Sequence, residues 1–166
     1  MVRIGTGRVR VLAMEIVYRF RLSEDAEFVW GVDVEGPSWE HTGEHADWTR
    51  LGNNQCKNCP RDRAEHEYCL AALDNEGVAE AFVDTVSYDR VDVRVETENR
   101  IYKKNCDFQE AIRSLFGLLM STSECPVLVR LKPMAHSHLP FSTLQETIQR
   151  MAGLYLIKAA GAASAG

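Results

Sequence analysis

The residues best suited to chemistry lie close together in the chain. Cys56-Lys-Asn-Cys59 sets two thiols two residues apart, His66 follows, and Cys69 closes a C-x2-C-x6-H-x2-C run. Thiolate sulfur and imidazole nitrogen are the donors zinc prefers, and a two-residue spacing lets one turn offer both sulfurs to a single ion. A tetrahedral site needs a fourth ligand. His66 would complete a local set, and Cys125 would complete a set of four thiolates. Cys59 and Cys125 are each followed by proline, which fixes the backbone beside the sulfur and favours Cys125. Zinc is the expected metal, and an iron–sulfur cluster is the alternative. The plainer reading is four buried thiols and a loop histidine.

A second group stands in Lys132-Pro-Met-Ala-His-Ser-His-Leu-Pro-Phe141. Lys132, His136 and His138 put an amine and two imidazoles in a loop stiffened by Pro133 and Pro140, an arrangement that suits ligand binding or acid–base work. The competing reading is a connector whose Met134, Leu139 and Phe141 fill the core. The fifth thiol, Cys106, follows Lys103 and Lys104. A buried, inert cysteine is the ordinary fate of such a residue.

The chain of 166 residues suits one domain, and its five cysteines are an odd number. No apolar run reaches the roughly 20 residues of a membrane helix, so no membrane insertion is expected. The apolar run after Arg3, Arg8 and Arg10 is too short for a secretion signal, so a cytoplasmic location is expected. In a reducing compartment, clustered cysteines point to metal rather than disulfides. The net charge of −5, with scattered Lys and Arg, argues against a nucleic-acid partner. An unknown protein partner or self-association remains.

The positioning elements follow from periodicity. Residues 14–22 alternate, with Ile16, Tyr18 and Phe20 on one face, and residues 28–34 read as the returning strand. Residues 35–60 hold glycines, prolines, Trp39 and Trp48 but no sustained period, so they need a staple. A helix is expected over 70–86, and a second hairpin over 91–104. Another helix is expected over 108–120, with Asp107 as its N-cap. Residues 127–131 fit strand or helix. Ser142 and Gln145 form a capping box for a last helix to Lys158, marked by Leu144, Ile148, Met151 and Tyr155.

The expected fold is therefore α+β. Two hairpins make one antiparallel sheet, helices cover one face, and an irregular Cys-rich region is stapled by metal. Residues 14–158 form the single domain, residues 1–13 a disordered extension, and residues 159–166 a disordered tail.

Asp47-Trp-Thr-Arg-Leu51, the cysteine cluster, Cys125-Pro126 and Lys132-Pro-Met-Ala … His138-Leu-Pro-Phe141 together resemble a bacterial family known only as a domain of unknown function. The resemblance covers about Met14 to Leu156. It implies a bacterial cytoplasmic protein, and it groups Cys56, Cys59, Cys69 and Cys125 as one set. The family often has proline after the third cysteine, where this chain has Leu70. The resemblance supplies no activity.

Two functions follow from the residues. One is a binding or adaptor module with structural zinc, whose four protein ligands leave no open position. The other is a metal-dependent or redox enzyme using the cysteines or the His136/His138 loop. The module is favoured, because no complete set of acid, base and nucleophile can be read from the chain.

Overall fold

The computed structural model describes residues 14–24, 26–36, 43–53 and 55–163. The expected extension 1–13, Trp39 and residues 164–166 lie outside them. The alternation in the first strand has the expected result. In β1 (Glu15–Arg21), Ile16, Tyr18 and Phe20 are fully buried, while Glu15 and Arg21 face water. β2 (Glu27–Asp33) returns antiparallel to it. β3 (Arg90–Glu96) buries Val91, Val93 and Val95, and β4 (Ile101–Asp107) returns antiparallel to β3. β1 and β3 also pair antiparallel, giving one four-stranded sheet in the order β2-β1-β3-β4.

Two helices close the apolar face. α1 (Leu70–Ala81) packs against α2 (Phe108–Thr122), and α2 lies on the sheet. Between them Phe82 meets Phe28 at 4.3 Å, Phe108 at 4.8 Å and Phe20 at 5.3 Å between ring centroids. Burying each such ring removes apolar area worth roughly 1.5–3 kcal/mol. This cluster explains why α1 stops five residues before its expected end. Phe82 leaves helical geometry at φ −117° to reach the rings, and Val86 is exposed.

Several boundaries differ from expectation for identifiable reasons. Asp107 stands at the N-cap position of α2 without a side-chain cap bond, because Arg90 Nη1 donates to its carboxylate at 3.1 Å. Residues 128–131 form a 3-10 turn that runs into a short helix, α3 (Lys132–His136), where a loop was expected. Pro133 sits in the first turn, where its fixed φ suits a helix and its missing N–H costs nothing. The capping box falls one residue later than expected. Glu146 N donates to Thr143 Oγ1 at 3.2 Å, and Thr143 N donates to Glu146 Oε2 at 2.7 Å. The last helix, α4 (Leu144–Ala163), continues past Lys158.

α4 also corrects the expectation that the last helix packs on the sheet. It packs against α3 instead, and its Leu144, Ile148, Met151 and Tyr155 face solvent. Trp48, in the irregular segment, is exposed.

The irregular segment is tied down by hydrogen bonds. Buried Glu76 of α1 accepts from Ala46 N at 2.5 Å and bonds His45 Nδ1 at 2.7 Å. Leu51 N donates to Glu67 O at 2.9 Å, and Cys69 N donates to Thr49 O at 2.8 Å. Thr49 and Leu51 are buried as a result. Replacing Glu76 by alanine removes the acceptor of the part-buried Ala46 N–H and the bond to His45 Nδ1. Urea unfolding of Glu76→Ala is expected to show a loss of about 2 kcal/mol, with faster amide exchange appearing first at residues 45–51.

Candidate functional site

The residues singled out in the sequence do not gather at one site among the described residues. Cys56 and Cys59 close one tight turn, with Cys59 N donating to Cys56 O at 3.0 Å. Cys56 is exposed and Cys59 partly exposed. Cys69 precedes α1, and Cys125 is buried after α2, where its N–H donates to Ser123 Oγ at 3.1 Å. His66 N donates to Asp62 O at 3.0 Å. Among the described residues, no three His, Cys, Asp or Glu side chains are grouped closely enough to hold a metal ion. Cys106 is buried, and burial, reinforced by Glu110, pushes its thiol pKa up despite Lys104.

The histidine segment divides between two surfaces. Lys132 Nζ donates to Glu35 O at 2.9 Å, and His136 Nδ1 lies 3.6 Å from Glu35 Oε1. His138 instead lines a cavity of about 710 Å3 between α2, α3 and the start of α4. Volumes of this size accommodate small-molecule ligands.

Beside that cavity lies a chain of polar groups drawn from three distant parts of the sequence. Tyr18, pointing from the buried face of β1, places its hydroxyl 2.8 Å from Ser114 Oγ of α2 and 2.6 Å from His138 Nε2. Ser114 Oγ also accepts from Phe141 N at 3.0 Å. Burial holds the Tyr18 hydroxyl far above its ordinary pKa, although the Ser114 hydrogen bond opposes this, so the hydroxyl stays protonated. Burial, and secondarily the nearby Arg150 charge, lowers His138 to about 4, so its imidazole is neutral at pH 7. One proton assignment then uses every group. Ser114 donates to Tyr18, Tyr18 donates to His138 Nε2, and His138 keeps its proton on Nδ1.

Phe141 adds a second mark of a functional site. Its φ is +60°, in the left-handed region, and it is the one non-glycine residue there among the described residues. A bulky residue in that region costs of order 1–3 kcal/mol and persists only where its surroundings hold it. The Ser114 hydrogen bond is one such hold, and Lys104 Nζ stands 5.7 Å from the ring centroid.

The cavity lining carries two carboxylates and two guanidinium groups, and both carboxylates are already engaged by cations outside it. Of its lining acids, Glu110 pairs with Lys104 at 2.5 Å and Asp107 with Arg90 at 3.1 Å. Arg150 turns Nη2 to the carbonyl oxygens of Ser137 and Met134, and the Glu146 carboxylate lies within its electrostatic reach. Among the described residues, Arg113 has no carboxylate within 4 Å. Met134, Leu139, Phe141 and Leu144 supply apolar wall.

Sequence reasoning found His138 and missed Tyr18, Ser114, Arg113 and Arg150. Tyr18 carried a signal, because its place on the buried face of β1 obliged its hydroxyl to find a partner. Nothing local marked the other three.

The family model of a domain of unknown function, DUF6901, matches residues 16–162. No curated protein and no solved structure matches the chain.

The His138 environment sets a pH dependence. An unfolded histidine titrates near 6.5, whereas the folded one does so at about 4. Between these values the unfolded chain takes up a proton that the folded chain refuses. Stability is therefore complete above pH ~6.5 and falls as pH drops toward 4, by at most roughly 3 kcal/mol from this group. Urea unfolding of the wild type and of His138→Asn at pH 7.5 and about 4.5 isolates the effect from carboxylate titration. The variant is expected to lose less stability across the interval, and equal losses would contradict the assignment.

Proposed function

The chain belongs to the DUF6901 family, and we propose that it is a binding module for a small anionic ligand with an apolar part, held in the cavity beside His138. The observation that carries this reading is which charges at the cavity are already paired. The lining acids are already paired, while Arg113 lacks a carboxylate partner and Arg150 stands at the same cavity. A carboxylate or phosphate answers such a pair of guanidinium groups with charge-assisted hydrogen bonds. His138 Nδ1–H is a further donor, and the Phe141 ring, stiffly held, is a platform for the apolar part. The Tyr18–Ser114 link fixes these groups before a ligand arrives, which lowers the entropic cost of binding.

The probe is phenyl phosphate, with inorganic phosphate and phenol as controls, followed by amide chemical shifts. Phenyl phosphate is expected to bind more tightly than either control and to perturb residues 113–117 and 138–147. Arg113→Gln removes a charge from an exposed position and is expected to weaken binding about 10-fold while leaving the melting temperature unchanged. Shifts scattered over the surface, or equal binding by Arg113→Gln, would defeat the reading.

Zinc as a staple of the Cys-rich loop is part of the same module reading. Its proposed ligands are Cys56, Cys59, Cys69 and Cys125, with His66 as the alternative to Cys125. Its support is the donor chemistry and the turn that Cys56 and Cys59 already close. It requires the loop to draw in until the sulfurs lie within about 4 Å of one another, as Zn–S bonds of about 2.3 Å demand. Protein purified without oxygen is expected to carry one zinc and no visible absorption, whereas an iron–sulfur cluster would be coloured. Chelation is expected to raise amide exchange first in residues 55–69. Metal-free protein with the same exchange pattern would remove the staple from the account.

A further inference from the structure

α4 leaves its apolar stripe largely open to solvent, with Leu144 at its start also standing at the edge of the cavity. Leu144, Ile148, Met151 and Tyr155 are 76%, 56%, 44% and 73% exposed. The helix is anchored by its other side, where Arg150 Nη2 donates to the carbonyl oxygens of Ser137 and Met134. A surface helix ordinarily does the opposite, burying its apolar stripe and wetting its polar one. The reversal leaves four large apolar residues in one open line.

The spacing of that line identifies what fits it. The intervals are four, three and four residues, the repeat of a knobs-into-holes helix seam. They read the same in both directions. An antiparallel copy of the same helix therefore meets the stripe position for position, Leu144 against Tyr155 and Ile148 against Met151, with a two-fold axis between the inner pairs. That is the self-complementarity a closed dimer requires, in which residue i meets residue j and j meets i. The stripe itself is uncharged, Gln145 and Gln149 stand beside it, and Lys158 at the next position of the repeat ends it.

The area is also of the right order. At roughly 200 Å2 for a large side chain, the stripe with Leu156 on its flank leaves about 600 Å2 open per copy. Two copies would cover about 1,200 Å2, the lower end of specific interfaces. We propose that α4 is the self-association surface of this protein, and that two copies pair antiparallel through Leu144, Ile148, Met151 and Tyr155.

Sedimentation equilibrium of the full chain, from about 1 μM to several hundred μM, tests this. A monomer–dimer equilibrium with a dissociation constant in the micromolar range is expected. Ile148→Lys and Met151→Glu should each be monomeric at least 10-fold above that constant, with wild-type circular dichroism and melting. An equimolar mixture should recover a dimer, because antiparallel pairing sets the new lysine of one copy against the new glutamate of the other. A wild-type monomer across the whole range overturns the proposal, and so does a dimer that both single variants retain. Failure of the mixture to recover overturns the antiparallel pairing. A wild-type monomer that dimerises only after deletion of residues 1–13 would assign the stripe to the chain's own N-terminal segment instead.

Discussion

A phenol oxygen placed under a helix, on the buried face of a sheet, must be hydrogen-bonded or it destabilises everything packed around it. Tyr18 is that group here. Its side chain is fully buried, and its hydroxyl is answered by Ser114 from α2 and His138 from the segment after α3. One atom therefore fixes how α2 sits on β1 and where the chain returns after α3. Ser114 passes the constraint on by accepting from Phe141 N, which holds the ring at an unfavourable backbone angle. The cavity is open beside this chain of contacts, and its walls follow from it.

The sheet was legible because its signal is local. In β1 and β3 a period of two sorts Ile16, Tyr18 and Phe20, and Val91, Val93 and Val95, onto the buried side. The site was only partly legible because its contacts are not local. Ser114 is 96 positions from Tyr18, and His138 is 120 positions from it. His138 stood out by residue type, but its neighbour in the pattern, His136, faces Glu35 on another surface. The cysteine pattern announced a turn at Cys56–Cys59, and the turn is there. Whether four sulfurs meet depends on the packing of loops, about which spacing alone says little.

α4 shows a limit of amphipathic reading itself. Periodicity identifies a helix with an apolar side but does not name what that side faces. The body of this protein takes hold of α4 through Arg150, a residue that a hydropathy pattern assigns to water. α1 shows the related limit at a boundary. Val86 extends the pattern of spacing, yet the geometry of the aromatic cluster draws Phe82 out of the helix first.

The backbone at Phe141 carries a consequence for anyone who redesigns this protein. Glycine adopts φ near +60° without steric cost, so a rule that scores the main chain alone would select glycine at position 141. That exchange would relax the main chain and remove the aromatic wall in the same step. Main-chain ease and side-chain packing pull position 141 in opposite directions, because the ring also packs on the core, so an optimiser that scores backbone geometry alone would cut away a wall of the cavity while reporting an improvement.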